Sequence, residues 1–247
     1  MAGLVGDAGE ASWAAATARR MRVAFHDAYW NGRYYVSSGY EGDPDDRAQA
    51  LAVVSGTLPK DLYPVLRPFF LNHHHASPYM EKYVLQALCT MGYHQDALNR
   101  MKSRYKAMID SPLTTLWEGW GIGAEGFGGG SYNHAWSGGP LTILSQYIAG
   151  IETLTPAFET FRVSPNPAHL NHIRAVVPLS GGREIRLTLD KDHDSCSIVL
   201  EVPQGTVAHF RMPAGYTSMK LNGEDCDGSE KVLPAGKWVL EGYIVGI

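Results

Sequence analysis

The sequence predicts a helical unit followed by a β-rich unit, and three observations carry that reading. Apolar residues recur at three and four through most of residues 1–153. Glycines then crowd a single stretch, at Gly119, Gly121, Gly123, Gly126 and Gly128 to Gly130, which forbids a continuous helix there. After Leu154, prolines at Pro156, Pro165, Pro167, Pro178, Pro203, Pro213 and Pro234 punctuate short β-branched and aromatic runs. The expected division is therefore 1–153 helical and 154–247 a β-sandwich.

The elements follow in order. Glu10 to Asp27 sets Trp13, Thr17, Met21, Ala24 and Phe25 near helical spacing, with Arg19, Arg20 and Arg22 on the other side. Asn31-Gly32 between aromatics predicts a tight reversal. Asp43-Pro44-Asp45-Asp46 offers capping oxygens before an apolar helix from Ala48 to Val54 that ends near Gly56. A helix from about Lys60 contains Pro64 and Pro68 and is expected to be short or distorted. Ser77-Pro78 opens a stronger one, stopped by Gly92. His94 to Met108 carries Ala97, Leu98, Met101, Tyr105 and Met108 on one side and is expected to turn Arg100, Lys102, Arg104 and Lys106 outward. Leu141 to Ile151 is apolar nearly all round, which predicts a buried helix ending at Gly150. Beyond it, Glu184 to Leu189 alternates, Asp190 to Asp194 turns, and Cys196 to Val202 answers as a hairpin. Val207 to Met212, Met219 to Leu221 and Trp238 to Val245 complete strands spaced as in an antiparallel sandwich.

Composition excludes several classes. The formal charge of -4, with both signs mixed along the chain, leaves no basic stripe for nucleic acid and no polybasic patch for a membrane surface. No run approaches the roughly 20 apolar residues of a membrane span. The start of the chain lacks a secretory pattern, so the chain as given is expected to be cytoplasmic. Cys89, Cys196 and Cys226 are odd in number and widely spaced, which predicts free thiols and no zinc cluster. No cofactor is expected. His73-His74-His75 cannot converge on one ion, and Asp190, Asp192 and Asp194 lack the continuation of a calcium loop, so no metal site is expected either.

The stretch with most chemistry runs from Ser111 to Trp120 and resumes from Gly130 to Pro140. It gathers Glu118 with Trp117, Trp120, Tyr132, Asn133, His134 and Trp136. Thr114-Thr115-Leu116-Trp117-Glu118, then Ser131-Tyr132-Asn133-His134-Ala135-Trp136-Ser137-Gly138-Gly139-Pro140 and Tyr147-Ile148-Ala149-Gly150-Ile151, resemble the final part of bacterial α-L-rhamnosidases of glycoside hydrolase family 78. Ser77-Pro78-Tyr79-Met80 through Leu88 and Asp96-Ala97-Leu98 resemble the helical hairpin before that motif, and Phe161 to Pro165 resembles the start of the terminal β-domain. The resemblance implies the back half of an (α/α)6 barrel followed by a small β-sandwich. In that family the general acid and several acidic sugar ligands lie in the front half, and no equivalent motif occurs here. Residues 1–153 offer about six helices against the twelve of a full barrel. A fragment, a split enzyme completed by its missing N-terminal half or by self-association, and a degenerate relative are all open.

Inverting glycoside hydrolysis needs two carboxyl groups about 6.5 to 9.5 Å apart, one protonating the leaving oxygen and one activating water. The resemblance makes Glu118 that base. Trp117 and Trp120 beside it predict a partly apolar cleft, which favours a neutral carboxyl; the plainer alternative is a loop carboxylate paired with an arginine. Trp117, Trp120, Tyr132 and Trp136 offer flat apolar faces to a sugar ring, or pack the barrel rim, the second reading fitting Trp136 best. His134 can bond a sugar hydroxyl or orient Glu118, and the resemblance gives the Asn133-His134 pair substrate contact. Asp43, Asp45 and Asp46 with Arg47 are a remote piece of the sugar site or helix caps. The function classes are thus a rhamnosidase-type hydrolase acting on a carbohydrate substrate, another (α/α)6 sugar hydrolase, or a non-catalytic carbohydrate-binding remnant.

Overall fold

The computed structural model describes residues 2–121, 130–216 and 218–244. They form two compact units, Met1–Ser137 and Gly138–Ile247.

The first unit is helical. Asp7 caps α1 (Ala8–Tyr29) by accepting the Glu10 N–H at 2.9 Å. None of the residues of α1 is buried: Trp13 and Met21 keep 62% and 66% of their surface exposed, and Val23, Phe25 and Tyr29 are exposed as well. The chain then reverses at Asn31-Gly32. Asn31 Oδ1 accepts the N–H groups of Arg33 and Tyr34, each at 3.0 Å, while Gly32 sits at φ +95° and Trp30 bridges to Tyr35. Asp45 caps α2 (Asp46–Val54) through the Arg47 N–H at 2.8 Å. A 3₁₀ turn at Lys60–Leu62 leads into α3 (Tyr63–Asn72), which holds Pro68 in its interior. Ser77 caps α4 (Pro78–Thr90), and Gly92 at φ +89° ends it.

The next segment departs from expectation. In place of one helix to Met108, α5 (His94–Arg104) breaks at Tyr105 and resumes as α6 (Lys106–Asp110). Tyr105 is buried, and its hydroxyl donates to the Pro78 carbonyl at 3.2 Å, a tertiary bond that fixes the residue between the two helices. Arg100 and Arg104 also turn inward. Arg100 donates to Glu81 at 2.6 and 3.0 Å, to Asp46 at 2.6 Å, and to the carbonyls of Phe70 and His73 at 2.5 and 2.8 Å. Asp46 and Glu81 are themselves fully buried. A helical pattern that assigns every charged residue to solvent cannot anticipate such partners, which come from α2 and α4. Val53, Leu66, Phe70, Leu85, Leu88 and Leu98 of the same four helices, α2 to α5, are buried.

The second unit begins with α7 (Gly139–Ile143), which passes into a π-helical turn at Leu144–Ile148. The expected all-round burial does not occur: Ile143 and Ile148 are buried, but Leu141 is 74% exposed. Nor does Ile151 belong to the helix. Gly150 takes φ +70°, where a Cβ would lie 2.1 Å from the Ser164 carbonyl oxygen, and Ile151 starts the first strand.

A four-stranded sheet has the order β1 (Ile151–Thr153), β2 (Thr160–Val163), β6 (Val207–Arg211), β9 (Glu230–Leu233). A six-stranded sheet has the order β3 (His172–Pro178), β4 (Glu184–Lys191), β5 (Ser195–Val202), β10 (Gly236–Tyr243), β7 (Ser218–Leu221), β8 (Glu224–Cys226). The predicted hairpin is present with Arg186 opposite Glu201 and Lys191 opposite Cys196. Alternate residues Ile185, Leu187 and Leu189 of β4 are buried, as are Cys196, Ile198 and Leu200 of β5. One pairing, β2 with β6, is parallel in an otherwise antiparallel arrangement. Strands β1, β2, β3, β8 and β9 had no clear alternating signal, being short or interrupted by exposed polar positions. The three cysteines are free. No helix among the described residues is long and apolar enough to cross a membrane.

Removing one partner of a buried ion cluster strands the others without water, which typically costs about 3 to 5 kcal/mol. Arg100→Met is therefore expected to lower the urea midpoint of the helical unit by that equivalent, measured by the far-ultraviolet signal, whereas Lys102→Met on the same helix leaves it within about 0.5 kcal/mol.

Candidate active site

The residues singled out by sequence lie on two segments of the helical unit, 113–121 and 130–137, and backbone groups lace these together. The Glu118 N–H donates to the Ser131 carbonyl at 3.0 Å, and the His134 N–H to the Leu116 carbonyl at 2.9 Å. Thr115 Oγ1 donates to the Tyr132 carbonyl and Ser137 Oγ to the Trp117 carbonyl. Residues 122–129, which include Gly123, Gly126, Gly128 and Gly129 of the glycine-rich run, lie outside the described residues.

Glu118 is held at the centre of this lacing. Its Oε2 accepts the Ser131 backbone N–H at 2.9 Å and stands 3.6 Å from His134 Nδ1, which also contacts Ser131 Oγ at 3.1 Å. Its side chain is 36% exposed. The setting is wetter and more polar than the apolar cleft expected from the flanking tryptophans, and no arginine pairs with the carboxylate among the described residues. Such a group keeps one oxygen tied down, with an imidazole alongside and about a third of the side chain open to solvent.

The aromatic residues separate into two groups. Trp117 lies edge-on to Tyr132, with centroids 5.4 Å apart, and its indole N–H is buried without a partner. Trp136 is half-exposed; its ring lies 4.1 Å from the His134 ring and 5.4 Å from that of Tyr79, and its N–H donates to the Glu118 carbonyl at 3.4 Å. Trp136 therefore stands against His134 and the Glu118 backbone, while Trp117 and Tyr132 pair with each other on the same two segments. Asn133 is exposed, and its carbonyl accepts from Ser131 Oγ at 3.4 Å. Trp120 is anchored elsewhere. Its N–H donates to the Ala76 carbonyl at 2.6 Å, the Arg104 guanidinium covers its ring at 4.2 Å, and Tyr105 meets it edge-on at 5.0 Å. Arg104 donates to the same Ala76 carbonyl, and burial pushes its pKa below the ordinary guanidinium value. A shallow hollow lined by His74, Ser103, Arg104 and Trp120 adjoins this anchor.

Sequence reasoning missed Ser131, Ser137, Ala76 and Arg104. Ser131 and Ala76 work through a backbone N–H or a carbonyl, which carry no signal in residue type, Ser137 lends its hydroxyl to the Trp117 carbonyl, and Arg104 reads as solvent-facing from the helical pattern. Of the acidic trio, Asp45 is a cap paired with Arg47, Asp46 belongs to the Arg100 cluster, and Asp43 meets His75 at 2.7 Å. The described residues contain no group of His, Cys, Asp and Glu placed to hold a metal ion.

Helical hairpins carrying a carboxylate and imidazole on a laced aromatic loop, with a β-sandwich after them, define the architecture of a helical-hairpin glycosidase. The chain belongs to the bacterial α-L-rhamnosidase six-hairpin glycosidase domain family, whose model matches residues 1–148. Solved structures agree on the fold. The α-L-rhamnosidase of Dictyoglumus thermophilum matches with TM-score 0.82 at 19% identity, over 98% of this chain and 30% of that one. The Streptomyces avermitilis α-L-rhamnosidase, solved with L-rhamnose, matches with TM-score 0.72 at 20% identity over 90% of this chain and 23% of its own. The family 78 rhamnosidase of Bacillus sp. GL1 matches with TM-score 0.72 at 22% identity, over 86% and 24%. The chain thus spans less than a third of the length of these proteins. A comparison with curated proteins finds no match.

Proposed function

We propose that this chain supplies the general base and part of the sugar-binding wall of an inverting α-L-rhamnosidase. Glu118 is the base. The observation that carries the reading is its pairing with the Ser131 N–H and His134 on a loop laced at both sides, inside the region matched by the rhamnosidase family. A fixed oxygen on one side lets the other accept a proton from water without the side chain swinging away. His134, Asn133 and Tyr132 contact sugar hydroxyls, and Trp117 and Trp136 face the ring's apolar side. Trp120 contributes from its anchored position beside Arg104. The general acid comes from helices outside this chain, set across the cleft at the separation that inversion requires. The functional division falls at 153/154, with residues 154–247 a supporting β-sandwich that contributes no catalytic group.

The front half of the barrel is the partner this reading requires, and α1 supplies its support. This 22-residue helix has no buried residue among those described, and it leaves Trp13, Met21, Val23, Phe25 and Tyr29 exposed. Alone, the chain is expected to self-associate and to bind a hydrophobic-surface dye in light-scattering and fluorescence assays. A clean monomer without dye binding would contradict the need for a partner.

When the front half is supplied, Glu118→Gln keeps the shape but removes the basic lone pair. General-base assistance is worth about 10² to 10⁴ in rate, roughly 3 to 5 kcal/mol, so kcat on an aryl α-L-rhamnoside falls by that factor while affinity holds. Trp120→Ala weakens affinity more than turnover if its ring is a binding platform. Near-normal turnover of the Gln variant removes Glu118 as base.

A further inference from the structure

Two adjoining hollows open at one end of the β-unit. The first, about 350 Å³, is lined by His169, Asn171, Asp192 and His193. The second, about 200 Å³, is lined by Pro165, Pro167, Pro213 and Ile244. Lys191 and Tyr216 line both. The combined space lies within the range of small-molecule sites, roughly 300 to 1,000 Å³.

The walls are fixed before any ligand arrives. Lys191 donates from its backbone to the Asn171 carbonyl at 2.8 Å and from Nζ to the Ala168 carbonyl at 2.6 Å. Ala168 is held at φ +48°, a left-handed conformation that a non-glycine residue adopts at a cost and that gathers at binding sites. Asp192 N–H bonds the Ser195 carbonyl at 2.9 Å, and Ile244 N–H bonds the Asp194 carbonyl at 3.0 Å. Tyr216 is rooted against β10 because residue 242 is glycine: a Cβ there would fall 3.1 Å from Tyr216 Cβ and Cγ. The Tyr216 ring lines both hollows.

The two halves differ in chemistry. One offers amide, imidazole, carboxylate and ammonium groups, and the charges of Lys191 and Asp192 offset each other. The other is mainly prolyl and aliphatic, with Asn166 also in its lining. We propose that this is a binding site for a neutral pyranose sugar with one apolar edge, its hydroxyls on the Asn171, Asp192 and Lys191 side and its apolar substituent among the prolines. It is separate from the Glu118 loop in sequence and in unit, and it stands whether or not Glu118 is a base.

L-rhamnose and L-mannose separate the two halves of the proposal, since they differ only by a methyl against a hydroxymethyl group. Titrating each into the ¹⁵N-labelled chain is expected to shift backbone amides of residues 168–171, 191–193 and 216, with millimolar affinity. Burying the hydroxyl of L-mannose among the prolines without a partner predicts at least about fivefold tighter binding of L-rhamnose. Asn171→Ala, which keeps the backbone bond to Lys191, weakens both sugars, and Glu118→Gln weakens neither at these residues. Three results overturn the assignment: no shifts in this cluster, equal affinity for both sugars, or a response to inorganic phosphate alone.

Discussion

Arg100 is the constraint on which the helical unit depends. One guanidinium holds Glu81 of α4, Asp46 of α2, and the carbonyls of Phe70 and His73 at the end of α3. Asp46, Glu81 and Phe70 are fully buried, so none of these three acceptors can be released without leaving a charge or a carbonyl unpaired. Helices that share only apolar faces can slide along one another; helices that share a five-fold donor cannot. The same segment after α3 carries Ala76, whose carbonyl receives both Arg104 and the Trp120 indole. The buried cluster thus lies next to the segment that anchors the loop at Trp120, two residues beyond Glu118.

From that anchor the loop is built by main-chain groups more than by side chains. The bonds between Glu118 and Ser131 and between His134 and Leu116 fix the distance between carboxylate and imidazole without relying on either side chain to find the other. This is an economical way to hold a polar pair in a region that stays partly wet, because backbone bonds lose little conformational entropy once both strands of the loop are ordered. In the proposed reading it also explains why a general base sits among groups that are half-exposed: the acid-bearing helices close the cleft from the other side.

Much of the fold was legible in the sequence, and the misses have physical causes. Caps at Asp45 and Ser77, the Asn31-Gly32 reversal and the hairpin of β4 and β5 each follow from local chemistry that reads directly from residue type. The break at Tyr105 and the inward turn of Arg100 and Arg104 depend on partners far along the chain, and periodicity contains no term for them. Gly150 was placed correctly as the end of a helix, yet the exposure of Leu141 was not foreseen, since hydrophobic content says that a face is apolar and not that something covers it. The candidate site divides in the same way. Glu118, His134 and the aromatics stood out by type and by resemblance, whereas Ser131 and Ala76 act through backbone atoms that any residue would supply. Trp120 was grouped with Trp117 by proximity in sequence, and the structure gives it separate partners.

The central claim is that the loop around Glu118 activates water for direct displacement at a sugar carbon. The stereochemistry of the first product tests it most directly. With the front half supplied, hydrolysis of an aryl α-L-rhamnoside is followed by proton NMR before mutarotation equilibrates the anomers. The account predicts that β-L-rhamnose appears first, the inverted product of a water delivered opposite the leaving group. Initial release of α-L-rhamnose would mean a covalent intermediate and two displacements, and would contradict it.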